Sequence, residues 1–148
     1  MKKLSLIFIS LLAFSLLSEA QEYKIITVVE SIVPMGLGRS RIIEPSEEAN
    51  SEAATTDRTE GKDSQMGKVK RKDLKIDDFK ETKLLNFYSG VGINFQNIAS
   101  NDALISDRIS GLAAEGWKLV FVTSGVESDA GDKDGQGIYI TRFVFSRE

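Results

Sequence analysis

Residues 100–126 read SNDALISDRISGLAAEGWKLVFVTSGV, and this stretch decides the fold. Ile105, Ile109 and Leu112 recur at helical spacing, widened by Ala113. The stripe predicts an amphipathic helix over residues 100–115. Ser100 or Asn101 is placed to cap it, and Asp102 in the first turn complements the helix dipole. Gly111 weakens the helix slightly, while Gly116 stands where a helix ends in the left-handed region. From Trp117 the period becomes two. Trp117, Leu119 and Phe121 share one face and Val120 and Val122 the other, which predicts a strand over residues 117–126. Trp117 is the only tryptophan. At a helix–strand junction, in register with Leu119 and Phe121, it reads as a core plug rather than a ligand-stacking residue.

Further strands flank this unit. YKIITVVESIV at residues 23–33 is rich in β-branched residues on both faces, as in a strand central to its sheet, and Pro34 ends it. Residues 34–41 form a glycine-punctuated turn, and residues 41–44 a short second strand. LLNFYSGVGINF at residues 84–95 alternates with period two and predicts another strand, with Gly90 and Gly92 leaving a bare patch. GIYITRFVFS at residues 137–146 is the last strand, joined to its predecessor by the acidic turn at 127–136. One helix on one face of a mostly antiparallel sheet of four to five strands is the economical arrangement, an α+β two-layer sandwich. No repeat or heptad pattern occurs.

The first twenty residues set the compartment. Met1-Lys2-Lys3 is a positive head, residues 4–17 are an apolar run, and Ser18-Glu19-Ala20 is a small-residue cleavage site followed by Gln21. That order predicts a signal peptide over residues 1–20, cleaved after Ala20, and a periplasmic or secreted product. The run is shorter than the ~20 residues a membrane-spanning helix needs, so no stable membrane anchor is expected after cleavage. One α+β domain over residues 21–148 follows, of a length that builds its own core. Residues 45–72 break the pattern. Met66 and Val69 are their only large apolar side chains, acidic residues crowd the first part, and Lys68, Lys70, Arg71 and Lys72 crowd the last. Such composition cannot offset the entropy of ordering, so a polar, mobile insertion is expected.

The chain contains no cysteine and no histidine. Thiol nucleophiles, disulfides, cysteine zinc sites and a serine–histidine–carboxylate triad are therefore excluded. Without Lys2, Lys3 and Glu19, 17 basic and 21 acidic residues remain, a net charge of −4. An acidic domain repels phosphate backbones, so no nucleic-acid partner is expected.

Glu22-Tyr23-Lys24, the run from Ala114 through Gly116, Trp117 and Lys118 to Val120, and Ile140-Thr141-Arg142 carry a resemblance. Together they resemble a small bacterial family of unknown function, domain of unknown function forty-one seventy-seven. The resemblance implies a compact β-α-β-β unit with the same helix–Gly–Trp–strand junction. It spans roughly half of residues 21–148, and residues 34–95 depart from the family. The chain is also similar to exported hypothetical proteins of Bacteroidetes-type bacteria. Neither resemblance implies an activity, so no catalytic residue is carried over.

Two stretches invite a ligand reading. Arg39 and Arg41, in the glycine turn after the first strand, are candidates to grip an anionic partner. The turn lacks the third glycine of a dinucleotide fingerprint and the Gly-Lys-Ser/Thr of a P-loop, so an exposed turn is favoured. Asp129, Asp132 and Asp134 are candidate calcium ligands. Ala130 and Thr141 occupy the first and last ligand places of the twelve-residue calcium loop, so a solvated hairpin turn is favoured. The basic run at 68–72 lacks the apolar face of a membrane-binding helix. Asp102, Asp107, Glu115 and Glu127 are available for acid–base work, but nothing pairs two of them across a cleft. The expectation is a non-catalytic exported domain without cofactors that binds another protein or itself through an open sheet edge. The alternative is a small periplasmic carbohydrate- or calcium-binding protein.

Overall fold

The structure, a computed structural model, describes residues 21–32, 39–62, 66–127 and 137–148. In chain order its elements are β1 (Glu22–Ser31), β2 (Arg41–Pro45), the one-turn helix α1 (Ser51–Ala54), a 3-10 turn (Met66–Lys68) and the one-turn helix α2 (Arg71–Leu74). These are followed by β3 (Phe79–Lys83), β4 (Tyr88–Ser89), β5 (Gly92–Ile93), α3 (Phe95–Ala114), β6 (Lys118–Glu127) and β7 (Ile138–Arg147). Five strands make one antiparallel sheet in the order β3-β2-β1-β7-β6, and β4 pairs with β5 apart from it. α3 lies on one face of that sheet, giving the α+β two-layer arrangement that the patterning predicts.

The helix begins five residues earlier than its apolar stripe suggests. Asn94 is the cap, and its side chain accepts hydrogen bonds from the backbone N–H groups of Gln96 and Asn97. The C-terminal end follows the sequence reading. Gly116 takes φ +89°, the Gly116 N–H donates to the Ala113 carbonyl, and the Trp117 N–H donates to the Leu112 carbonyl. Those two bonds satisfy carbonyls that the last turn would otherwise orphan, and they drop Trp117 into the core. Trp117 is buried, with Lys24 Nζ and Arg147 Cζ 4.9 and 4.4 Å from its ring centroid.

Pairing register assigns the faces. Ile26 stands across from Phe143, Lys24 from Phe145, and Val28 from both Thr141 and Ile42. Ile26, Val28, Ile42 and Phe145 are buried against Leu112 and Trp117, with Ile105, Ile109 and Phe143 packed on them. Their alternate neighbours, including Val29, Ile43 and Phe79, point to the face opposite α3.

Three segments differ from the sequence reading. Residues 84–95 are not one strand. The chain turns at Gly90 and Val91, Gly92 takes φ +124°, and only β4 and β5 pair, as a two-residue ladder. The two glycines supply a bend, not a bulge in a continuous strand. β3 carries a single apolar residue in FKETK, so nothing in its pattern announces a strand; its pairing to β2 makes it one. β6 holds a bulge between Leu119 and Phe121. Leu119 pairs with Phe145 and Phe121 with Val144, so the extra residue, Val120, puts Leu119 and Phe121 on opposite faces. Both are exposed, not in the core beside Trp117. Within residues 45–72, α1, the 3-10 turn and the residues of α2 contribute no buried side chain.

The stretch between β3 and β4 is held by α3. Asn101 is fully buried; its Nδ2 donates to the Leu85 carbonyl at 2.8 Å, and its Oδ1 accepts from the Leu85 N–H at 2.8 Å. Asn97 Nδ2 donates to the Asn86 carbonyl at 2.8 Å. Asn101→Ala leaves both backbone groups of Leu85 without these partners, and is expected to cost about 2–3 kcal/mol in urea denaturation.

Candidate functional site

Two carboxylates sit between helix and sheet. Glu44 follows Ile42 by two along β2 and so faces α3. Arg108 of α3 grips it with two bonds, Nε to Oε2 at 3.0 Å and Nη2 to Oε1 at 2.7 Å, and Lys24 Nζ adds a third at 3.3 Å. Burial works to raise the Glu44 carboxyl, but the Arg108 and Lys24 hydrogen bonds and charges outweigh it and hold the group below its ordinary value. Glu30 goes the other way. Burial raises it, the hydrogen bond from Asn101 opposes, and the Asp102 charge adds to the rise. Ser40 Oγ accepts from the Ser31 N–H at 2.9 Å and donates to Asn86 Oδ1 at 2.7 Å. These clusters satisfy one another. Among the described residues, Thr56 Oγ1 is the only buried side-chain nitrogen or oxygen without a hydrogen-bond partner. They tie α3 and residues 84–87 to the sheet rather than converge on a substrate.

The residues singled out from sequence fall in different places. Arg39 and Arg41 both line a shallow depression of about 570 Å³ on the face opposite α3. Its floor is apolar, from Val29, Ile43, Pro45, Ile76, Phe79 and Ile138, and Arg41 Nη1 bonds Glu81 Oε1 at 2.5 Å. Asp129, Asp132 and Asp134 lie outside the described residues. Asp102 and Asp107 are exposed on α3, and Glu115 at its end meets Arg108 at 3.4 Å. Among the described residues no group of three metal-ligating side chains occurs, and no helix is long and apolar enough to cross a membrane.

The sheet's two edges are unlike. β3 has five residues, and Lys80, Glu81 and Lys83 load it with charge. Charge is a usual guard against strand addition. β6 has ten residues, with Lys118 and Glu127 at its ends and no charge between. Residues 118–126 are all exposed, including Leu119, Val120, Phe121, Val122 and Val126. By register, Leu119, Val122 and Val126 share the face of α3, and Phe121 takes the other. Among the described residues no strand pairs with the outer side of β6, and its apolar side chains are exposed on both faces. Of the arrangements in the described residues, this edge is the one that leaves a long apolar strand without internal charge open to association.

Compared with known proteins, the chain matches no family model, no curated protein and no solved structure.

The Glu44 cluster makes a signed prediction. A depressed carboxyl contributes stability that is present above its unfolded value, near 4.3, and is lost as pH falls through the lower folded value. Glu44→Gln is expected to cost about 2 kcal/mol at pH 7, less than a fully buried pair because Arg108 retains some solvent contact. The deficit shrinks at pH 3, below the unfolded value, where the unfolded chain takes up a proton that the native ion pair resists. Urea denaturation at the two pH values checks it; equal deficits at both would refute the ion-pair account.

Proposed function

We propose that the chain is an exported, non-catalytic interaction domain that associates with protein through the open edge of β6. The observation that carries this is the ten-residue outer strand, exposed on both faces and without an internal charge. An edge of that kind recruits another strand, because addition satisfies its backbone groups and covers its apolar side chains together. The composition supports the non-catalytic half of the reading, since a chain without histidine or cysteine lacks the commonest general base and the thiol nucleophile. The leader-like residues 1–20 support export to periplasm or medium. Kinship with the domain-of-unknown-function family named above belongs to this proposal and rests on the helix–Gly–Trp–strand junction; it brings no activity with it.

A photo-reactive residue placed at position 126 in living cells tests the reading. It is expected to yield protein–protein adducts, whereas the same residue at position 104, on the exposed part of α3, yields few. Equal, background yields at both positions would remove β6 as an association edge.

The depression beneath Arg39 and Arg41 favours a second reading, binding of a small ligand. Its apolar floor suits an apolar or amphipathic molecule better than a glycan. For the carbohydrate- or calcium-binding alternative, a thermal-shift series with glycans and with millimolar calcium against chelator is expected to leave the melting temperature unchanged. A dose-dependent rise would favour the alternative, because stabilisation follows ligand concentration over Kd.

A further inference from the structure

Once its bulge is counted, β6 is complementary to itself. Lys118, Leu119 and then Phe121 through Glu127 stand opposite β7 in register, and Val120 is the additional residue. That leaves nine ladder positions, with Thr123 at the centre. Two copies of the strand, antiparallel about a two-fold axis at Thr123, place Leu119 opposite Val126, Phe121 opposite Gly125 and Val122 opposite Ser124. Thr123 meets its own copy, and Lys118 at one end meets Glu127 at the other.

Four of these five pairings are favourable in kind, and Val122 against Ser124 is neutral. The ends bring together opposite charges, Leu119 and Val126 join apolar side chains on the α3 face, and an aromatic ring covers a bare glycine. The threonine pair is also a favoured one. Faces agree throughout, because Leu119, Val122, Ser124 and Val126 register with Phe145, Phe143, Thr141 and Tyr139 on one side of the sheet. Moving the axis one step to Val122 or Ser124 shortens the ladder by two positions and leaves both charges without an opposite.

We infer that the partner of β6 is a second copy of this chain, joined by antiparallel β6–β6 pairing centred on Thr123, so that two five-stranded sheets become one. This rests on the reading of β6 as an association edge and specifies what occupies it. The interface is isologous, each residue contacting its register mate in both directions. Lys118 is exposed, so its pairing with Glu127 adds little affinity; the two end pairs select the register and the antiparallel sense.

The test uses the full chain produced with its own leader and purified in processed form. Thr123→Cys introduces the only cysteine in the chain. Antiparallel partners lie about 4.5–5.5 Å apart at Cα, within reach of a disulfide. Mild oxidation is expected to give a disulfide-linked dimer from T123C and none from V126C alone, whereas L119C combined with V126C links again. Equal yields from T123C and V126C would overturn the register. In sedimentation velocity, K118E and E127K each create two like-charge pairs and are expected to weaken the dimer roughly tenfold, while the double variant returns to within about twofold of wild type. A monomer at every concentration up to about 100 µM, together with no T123C dimer, overturns the inference. Adducts from position 126 to a different protein would then show that the edge reading survives without the self-pairing, and background adducts would show that both fall.

Discussion

Among the described residues α3 is the only helix longer than one turn, and one helix cannot roof a five-stranded sheet. A helix with its side chains is about 10 Å across, whereas five strands about 4.8 Å apart span roughly 19 Å between outer axes. Among the described residues part of the sheet stays bare, and where α3 sits decides which part. Here the buried apolar side chains come from β1, β2 and β7, with Leu84, Leu112 and Trp117, and none from β6. The open edge therefore follows from the placement of α3 as much as from the composition of β6.

That placement is set by polar contacts. Arg108 reaches across to Glu44 on β2, and Asn101 holds both backbone groups of Leu85 while donating to Glu30 on β1. All of these pull the helix toward the β1–β2 side. Hydrophobic contact alone is non-directional and would let the helix slide over the apolar face; bidentate and backbone-directed bonds fix its position. Replacing these groups by apolar ones of equal size would keep a core but weaken the reason for α3 to leave β6 uncovered.

The legible parts of the fold are those whose cause is local. Gly116 and Trp117 were readable because a left-handed residue after a helix selects glycine, and the next side chain is then carried inward. β1 and β7 were readable from their own β-branched and alternating residues. β3 was not, since its five residues hold one apolar side chain and its strand state depends on β2. The Val120 bulge was not either, because alternation at 117–122 looks unbroken until the partner strand is known. The candidate site divides the same way. An uncovered edge was expected from one helix and four to five strands. Which strand it was required the order β3-β2-β1-β7-β6, which is a long-range fact. Glu44 shows the limit most plainly: its step of two from Ile42 turns it toward the helix, but Arg108 is 64 residues away.

The two edges also argue about purpose. A lysine-bearing, five-residue β3 is how a sheet ends when nothing should join it. Ten residues of mostly apolar or hydroxylated side chains on β6 are the reverse, and exposed strands of that kind invite uncontrolled pairing. Flanking charges are a common guard in such a segment. Their signs separate a guard from a guide. Like charges at both ends would repel an antiparallel copy at each end of the ladder. Lys118 and Glu127 are opposite, so an antiparallel copy meets attraction at both ends, while a parallel copy meets lysine against lysine and glutamate against glutamate. The pattern thus admits one mode of self-pairing and opposes the other, which a strand merely defended against association has no need to do.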